Sequence, residues 1–131
     1  MNVMPKIILP TEADGQNADI AEVAFNKEGL VPVVAQCADT GEVLMLAWMN
    51  KEALTRTLDT GRGTYYSRSR KSLWEKGETS GNRQTLVAAH LDCDGDAIVV
   101  KVKQKGVACH KGDRVCFTRP LTSKGVVAVA E

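Results

Sequence analysis

Apolar and polar residues alternate with period two over much of the chain. That alternation predicts strands over Leu30–Gln36, Gly41–Met49, Thr64–Arg70, Thr85–Asp92 and Ala97–Gln104. In the last of these Ile98, Val100 and Val102 share one face, and Val99, Lys101 and Lys103 the other. Asp39-Thr40-Gly41 and Asp94-Gly95 have hairpin chemistry, since Gly permits the positive φ of a tight turn. Helical signals are short. Ile20–Phe25 predicts a helical turn, and Asn50 caps a helix from Lys51 to about Leu58 that stops at Gly61, with Ala53, Leu54 and Leu58 as its apolar face. Leu73–Arg83 is rich in Gly, Ser, Thr and charge and predicts no regular element. Residues 1–19 read as a flexible N-terminal arm, and the tail beyond Pro120 as a weak Val/Ala strand. No repeat or linker divides the chain, so the expectation is a single domain over 1–131, α+β and dominated by a small sheet.

Composition narrows the function. A chain of 131 residues, 44% hydrophobic and 25% charged, can build a core without disulfide staples. A net charge of +1 gives no electrostatic case for nucleic acid or membrane, and 5% aromatics gives no base-stacking surface. No apolar run approaches the ~18 residues of a membrane helix, and Met1–Pro10 does not resemble a signal peptide. The expected compartment is the cytoplasm, where grouped cysteines signal metal binding or catalysis more often than disulfides.

The chemistry concentrates at Asp92-Cys93-Asp94-Gly95-Asp96, three carboxylates and a thiol within five residues. Uncompensated, so much negative charge is costly to bury, which points to a cation; a solvated acidic turn is the competing reading. Downstream, Cys109, His110 and Cys116 complete the spacing C-x15-C-H-x5-C, which lacks the C-x2-C of zinc ribbons and fingers. Three thiolates leave a fourth tetrahedral position open, as a catalytic zinc requires. If residues 92–94 are extended, the aspartates face one way and Cys93 the other, so two metals, one soft and one hard, suit the ligands better than one. An EF-hand is excluded, because Ala97 stands at its Gly position and Lys103 at its closing Glu. His110 is a fourth ligand or a general acid/base. Cys37 and His90 read as structural.

A second stretch interleaves cations and hydroxyls, Ser67-Arg68-Ser69-Arg70-Lys71-Ser72, followed by Lys76-Gly77-Glu78-Thr79-Ser80-Gly81. Arg68, Arg70, Lys76, Thr79 and Ser80 suit a phosphate, although the P-loop spacing is absent. A solvated basic loop is the bland alternative. Trp74 either stacks on a heterocycle or anchors the loop. Of Tyr65 and Tyr66, at most one faces a site, and Met45–Met49 with Trp48 reads as core.

Together these segments resemble the phosphoribosyl-AMP cyclohydrolase family of histidine biosynthesis. The resemblance rests on VLMLAWMN (43–50), YYSRSRKSLWEKGETSG (65–81), DCDGDA (92–97) and ACHKGDRVCF (108–117), in order and spacing from about Val31 to Arg119. It implies a mixed or antiparallel sheet forming a roll or pseudo-barrel with one or two short helices, in an intertwined homodimer. It also implies zinc on Cys93, Cys109 and Cys116, one ion per subunit shared across the dimer, and magnesium on Asp92, Asp94 and Asp96. The implied reaction is hydrolytic opening of the adenine ring of a small-molecule nucleotide, 1-(5-phosphoribosyl)-AMP, at N1–C6. His110 is the expected proton shuttle. The pyrophosphohydrolase domain fused to the module in some relatives has no counterpart within these residues. Asn82 stands where many relatives have His, and Cys37 where an acidic residue is frequent. A non-catalytic zinc module and a Cys109/Cys116 redox switch are the rival readings.

Overall fold

Strand β1 (Val31–Cys37) shows the alternation in its purest form, with every second side chain buried. The computed structural model describes residues 17–123. After a one-turn 3-10 helix at Ile20–Glu22 come β1, β2 (Val43–Met49), helix α1 (Lys51–Thr60), β3 (Thr64–Ser67), β4 (Ser72–Glu75), β5 (Gln84–Leu91) and β6 (Ile98–Gln104). They form one six-stranded sheet in the order β4-β3-β2-β1-β6-β5. All neighbours are antiparallel except β1 and β6, which run parallel with Val33 opposite Ile98. The sheet is mixed, and the protein is mainly β with one α-helix.

The sheet curls into a half-barrel because its two sides meet. Arg62 bridges Thr85, the Gly63 N–H donates to the Gln84 carbonyl at 3.1 Å, and the Leu86 N–H donates to the Gly61 carbonyl at 2.8 Å. The concave side holds the core: Val31, Val33 and Ala35 of β1, Leu44, Met45 and Met49 of β2, and Ile98, Val100 and Val102 of β6. Leu44 and Met45 are both buried because the β1–β2 register slips between Ala35 and Gln36, a bulge that turns two successive side chains inward. Leu46 escapes the core at 47% exposure, and Trp48 is half-buried on the convex side.

Helix α1 begins and ends on the expected residues. The Asn50 side chain accepts the Ala53 N–H at 2.8 Å, and Gly61 takes φ 74° at the C-cap. Its buried face is Ala53, Leu54 and Thr57, and Leu58 is exposed, which corrects the expected apolar stripe. Thr57 wins the inner position because its hydroxyl both accepts the Thr64 N–H and donates to the Thr64 carbonyl, each at 3.0 Å. A second correction is β4, which falls in the segment expected to be irregular; Tyr65 pairs with Trp74 there. Correspondingly β3 ends at Ser67, and residues 68–71 form the turn, with Lys71 at φ 54°. The tail strand and residues 1–16 of the N-terminal arm lie outside the described residues.

Gln84 is fully buried where the curled sheet meets itself. Its carbonyl accepts the Tyr65 hydroxyl at 2.5 Å, and its amide donates to Gln104 Oε1 at 3.0 Å and faces Met45 Sδ at 3.4 Å. Burial pushes the Tyr65 phenol well above its ordinary pKa, so it stays a donor at any working pH. Replacing Gln84 with Leu strands the Tyr65 hydroxyl and the Gln104 carbonyl, each at about 1–3 kcal/mol. We expect Gln84→Leu to lose at least about 2 kcal/mol in urea unfolding and Tyr65→Phe about 1 kcal/mol. The double variant should lose less than the sum, because the two changes remove the same bond.

Candidate active site

Residues 108–117 fold back on themselves as a loop without regular structure. The Ala108 N–H donates to the Arg114 carbonyl and the Cys109 N–H to the Asp113 carbonyl, both at 3.1 Å. The loop is clamped to the β1–β2 hairpin from two sides. The Cys116 N–H donates to the Leu44 carbonyl at 2.8 Å, and the Arg114 guanidinium donates to Glu42 at 2.7 Å while lying 3.7 Å from Cys37 Sγ. Glu42, by hydrogen bond and charge, holds the Arg114 pKa above its usual value.

The clamp brings two expected ligands together. Cys109 and Cys116 are reduced and within hydrogen-bonding reach of each other, and the Lys111 N–H donates to Cys109 Sγ at 3.4 Å. Partial burial raises the Cys116 pKa, with Cys109 adding to the rise and Lys76 opposing it. Burial lowers the Lys76 pKa, and the charges of Cys116 and Cys109 raise it. His110 is exposed beside Cys109, with its side chain unbonded among the described residues.

Cys93 is elsewhere, exposed in the β5–β6 turn and lining an open cleft with Asn17, Ala18 and Glu22. Residues 92–97 form a turn rather than an extended strand, so alternation does not describe how Cys93 and the aspartates separate. Asp92 accepts the Asp96 and Ala97 N–H groups at 3.0 and 3.3 Å, and this folding-back draws the carboxylates together. Oxygens of Asp92, Asp94 and Asp96 all lie within 4.8 Å of one another, the one such group of three ligand-type side chains among the described residues. The hydrogen bonds and charges of Asp94 and Asp92 raise the Asp96 pKa. Desolvation pushes Asp92 up, but hydrogen bonds from Asp96, Ala97 and Asp94 together outweigh it and leave Asp92 lowered.

The basic stretch divides. Arg68 and Arg70 sit in the exposed β3–β4 turn, where the Arg68 guanidinium lies 4.7 Å over the Trp48 ring and Arg70 Nε donates to Ser67 at 3.4 Å. Lys76 lies beyond the other end of β4, about 13 Å away by strand rise. Trp74 packs against Tyr65 at 5.2 Å and lines a shallow cleft with Arg56, Thr64 and Glu78. Of the tyrosines, Tyr65 is buried and Tyr66 half-buried. Thr79 and Ser80 are exposed in the following turn, and Ser80 Oγ accepts the Asn82 N–H at 3.1 Å. Cys37 is packed at 4% exposure, and His90 keeps a buried Nδ1 without a partner among the described residues. The Glu42–Arg114 clasp went unforeseen; its residues stand 72 positions apart, and no local signal joins them.

No helix among the described residues is long and apolar enough to cross a membrane. The family model for phosphoribosyl-AMP cyclohydrolase matches residues 45–118. A phosphoribosyl-AMP cyclohydrolase of Granulibacter bethesdensis is 60% identical over 105 residues, covering 80% of this chain and 82% of that protein. One of Nocardioides sp. is 63% identical over 98 residues, covering 75% and 80%. A bifunctional histidine-biosynthesis protein of Thermus thermophilus is 58% identical over 103 residues, 79% of this chain but 48% of that protein.

With no cation present, like charge makes ionised Asp96 unfavourable, so its raised pKa marks a contribution that destabilises the fold as pH rises through that value. We expect Asp96→Asn to raise the melting temperature in chelator at pH 7 and to leave it little changed near pH 3. Asp92→Ala, which removes the acceptor for two turn N–H groups, should lower it at pH 7. Thermal scans at the two pH values check both.

Proposed function

The chain belongs to the phosphoribosyl-AMP cyclohydrolase family of histidine biosynthesis, and we propose that it opens the adenine ring of 1-(5-phosphoribosyl)-AMP at N1–C6 using zinc held by thiolates from two subunits. The carrying observation is the pairing of Cys109 with Cys116 while Cys93 stands apart. Two neighbouring free thiols, one already accepting a backbone N–H, are a donor set for a soft divalent cation. Cys93 completes the set from a second copy. The convex sheet face, where exposed Leu46 pairs with Val34 beside half-buried Trp48, offers apolar surface for that copy.

Zinc, when bound, would supply a Lewis acid that lowers the pKa of a water to about 7. The protein does the rest. Phosphoribosyl on N1 makes C6 electrophilic; the water oxygen bonds to C6, the C6–N1 bond breaks, and a carboxamide remains on the imidazole. His110, exposed and next to a ligand, accepts the water's proton and returns it to the departing N1. Arg68 and Arg70 hold phosphate, with the Thr79 and Ser80 hydroxyls; Trp74 shapes the neighbouring cleft. Asp92, Asp94 and Asp96 fit magnesium, a hard cation for oxygen ligands, which organises the site and leaves the nucleophile to zinc.

Cys109→Ser should lose both zinc and turnover, read by metal analysis and by ultraviolet absorbance of ring opening; a zinc-free, fully active variant would reject this reading. Mixing inactive Cys93→Ser with inactive Cys109→Ser should restore activity, because a mixed dimer keeps one intact site of two. Continued inactivity of a demonstrated mixed dimer rejects sharing. His110→Ala should keep zinc and lower kcat by about 10²–10⁴.

A further inference from the structure

Strands β1 and β6 run parallel, so the segment leading into β1 and the turn leading into β6 lie at the same end of the sheet. The two meet. The Ala24 N–H donates to the Gly95 carbonyl at 2.7 Å, in the middle of the acidic turn. Gly95 is buried, although Asp92, Cys93, Asp94 and Asp96 around it are exposed. It takes φ 80°, and a Cβ there would stand 2.9 Å from the Glu22 carbonyl oxygen and 3.8 Å from the Ala24 nitrogen. Glycine alone allows the two backbones to approach so closely.

The lead-in is itself a built unit. Its 3-10 turn carries a reciprocal cap: the Ala21 N–H donates to Asp19 Oδ1 at 3.1 Å, and the Asp19 N–H donates to Glu22 Oε2 at 2.9 Å. Ile20, Val23 and Phe25 pack against the core. The Asn26 side chain then accepts the Glu28 and Leu30 N–H groups where the chain turns into β1. Anchored at both ends, residues 19–25 brace the acidic turn.

We propose that residues 19–25 are a positioning element of the oxygen site: docked on Gly95, they hold Asp92, Asp94 and Asp96 in the gathered arrangement that fits a hard divalent cation. This rests on the magnesium reading. The turn's own N–H groups draw the carboxylates together against their mutual repulsion, and the brace keeps Gly95 in place beneath them. Such coupling is reciprocal. A cation on the turn must strengthen the Ala24–Gly95 contact by as much as that contact strengthens cation binding.

The test is magnesium titrated into substrate-free protein by calorimetry, in the wild type, Glu22→Ala and Glu22→Gln. Hydrogen exchange at the Ala24 N–H is followed with and without magnesium. Glu22→Ala breaks the cap and should weaken magnesium binding about fivefold. Glu22→Gln, whose amide oxygen completes the same cap, should stay close to wild type. In the wild type, saturating magnesium should slow exchange at Ala24. Exchange that bound magnesium leaves unchanged overturns the proposal, and this measurement needs no variant to fold. Wild-type affinity in Glu22→Ala overturns it as well. Equal weakening in both variants makes the Glu22 carboxylate a direct partner of the cation, and likewise overturns it. A wild-type protein that binds no magnesium removes the oxygen-site reading itself, a different result from these.

Discussion

The buried amide of Gln84 and the half-buried amide of Gln104 hold the curled sheet and its loops to one arrangement. Gln84 ties β5 to Tyr65 of β3 and to Gln104 of β6. Gln104 passes its amide protons on to the Asn82 and Lys105 carbonyls, both at 2.9 Å. Three segments distant in sequence are thereby fixed to one another: the turn after Lys76, the end of β6 that leads to Cys109, and the tyrosine beneath Trp74. Side-chain amides do this where apolar residues would not. Each has both donors and an acceptor to satisfy, so only one relative placement leaves none unpaired.

That placement fixes the backbone of Lys76 at the sheet closure, and the Glu42–Arg114 clasp delivers the thiol loop to β2. Soft and hard donors are kept apart. Sulfur collects beside β2, and oxygen collects in the β5–β6 turn, whose own N–H groups fold the carboxylates together. Cys93 lies on the oxygen side of this division, apart from the thiols of the 108–117 loop.

Strands β1, β2, β5 and β6 were legible because their alternation reflects a buried concave face. Both caps of α1 were legible for the same kind of reason, since Asn50 and Gly61 act within one turn of chain. Strand β4 was not: Leu73 and Trp74 are adjacent apolar residues, and only pairing with β3 makes them strand. Leu58 misled because local spacing cannot reveal that Thr57 has a hydrogen-bonding partner in Thr64. The cysteine and aspartate motifs stood out through family resemblance, but the segregation of Lys76 from Arg68 and Arg70 depends on which way β4 runs. Nothing in a charge pattern records that direction.

The parallel pairing of β1 with β6 bears on how the protein is made. A strand that leaves the ribosome early must wait for Val99 and Val100 before its second edge is covered. Until then the β1–β2 hairpin shows its apolar surface, and high contact order makes the closing step slow. The thiol loop follows β6 directly, so it emerges after the last strand that builds its support. The nascent chain's period of greatest vulnerability to chaperones and aggregation should therefore fall just before β6 appears.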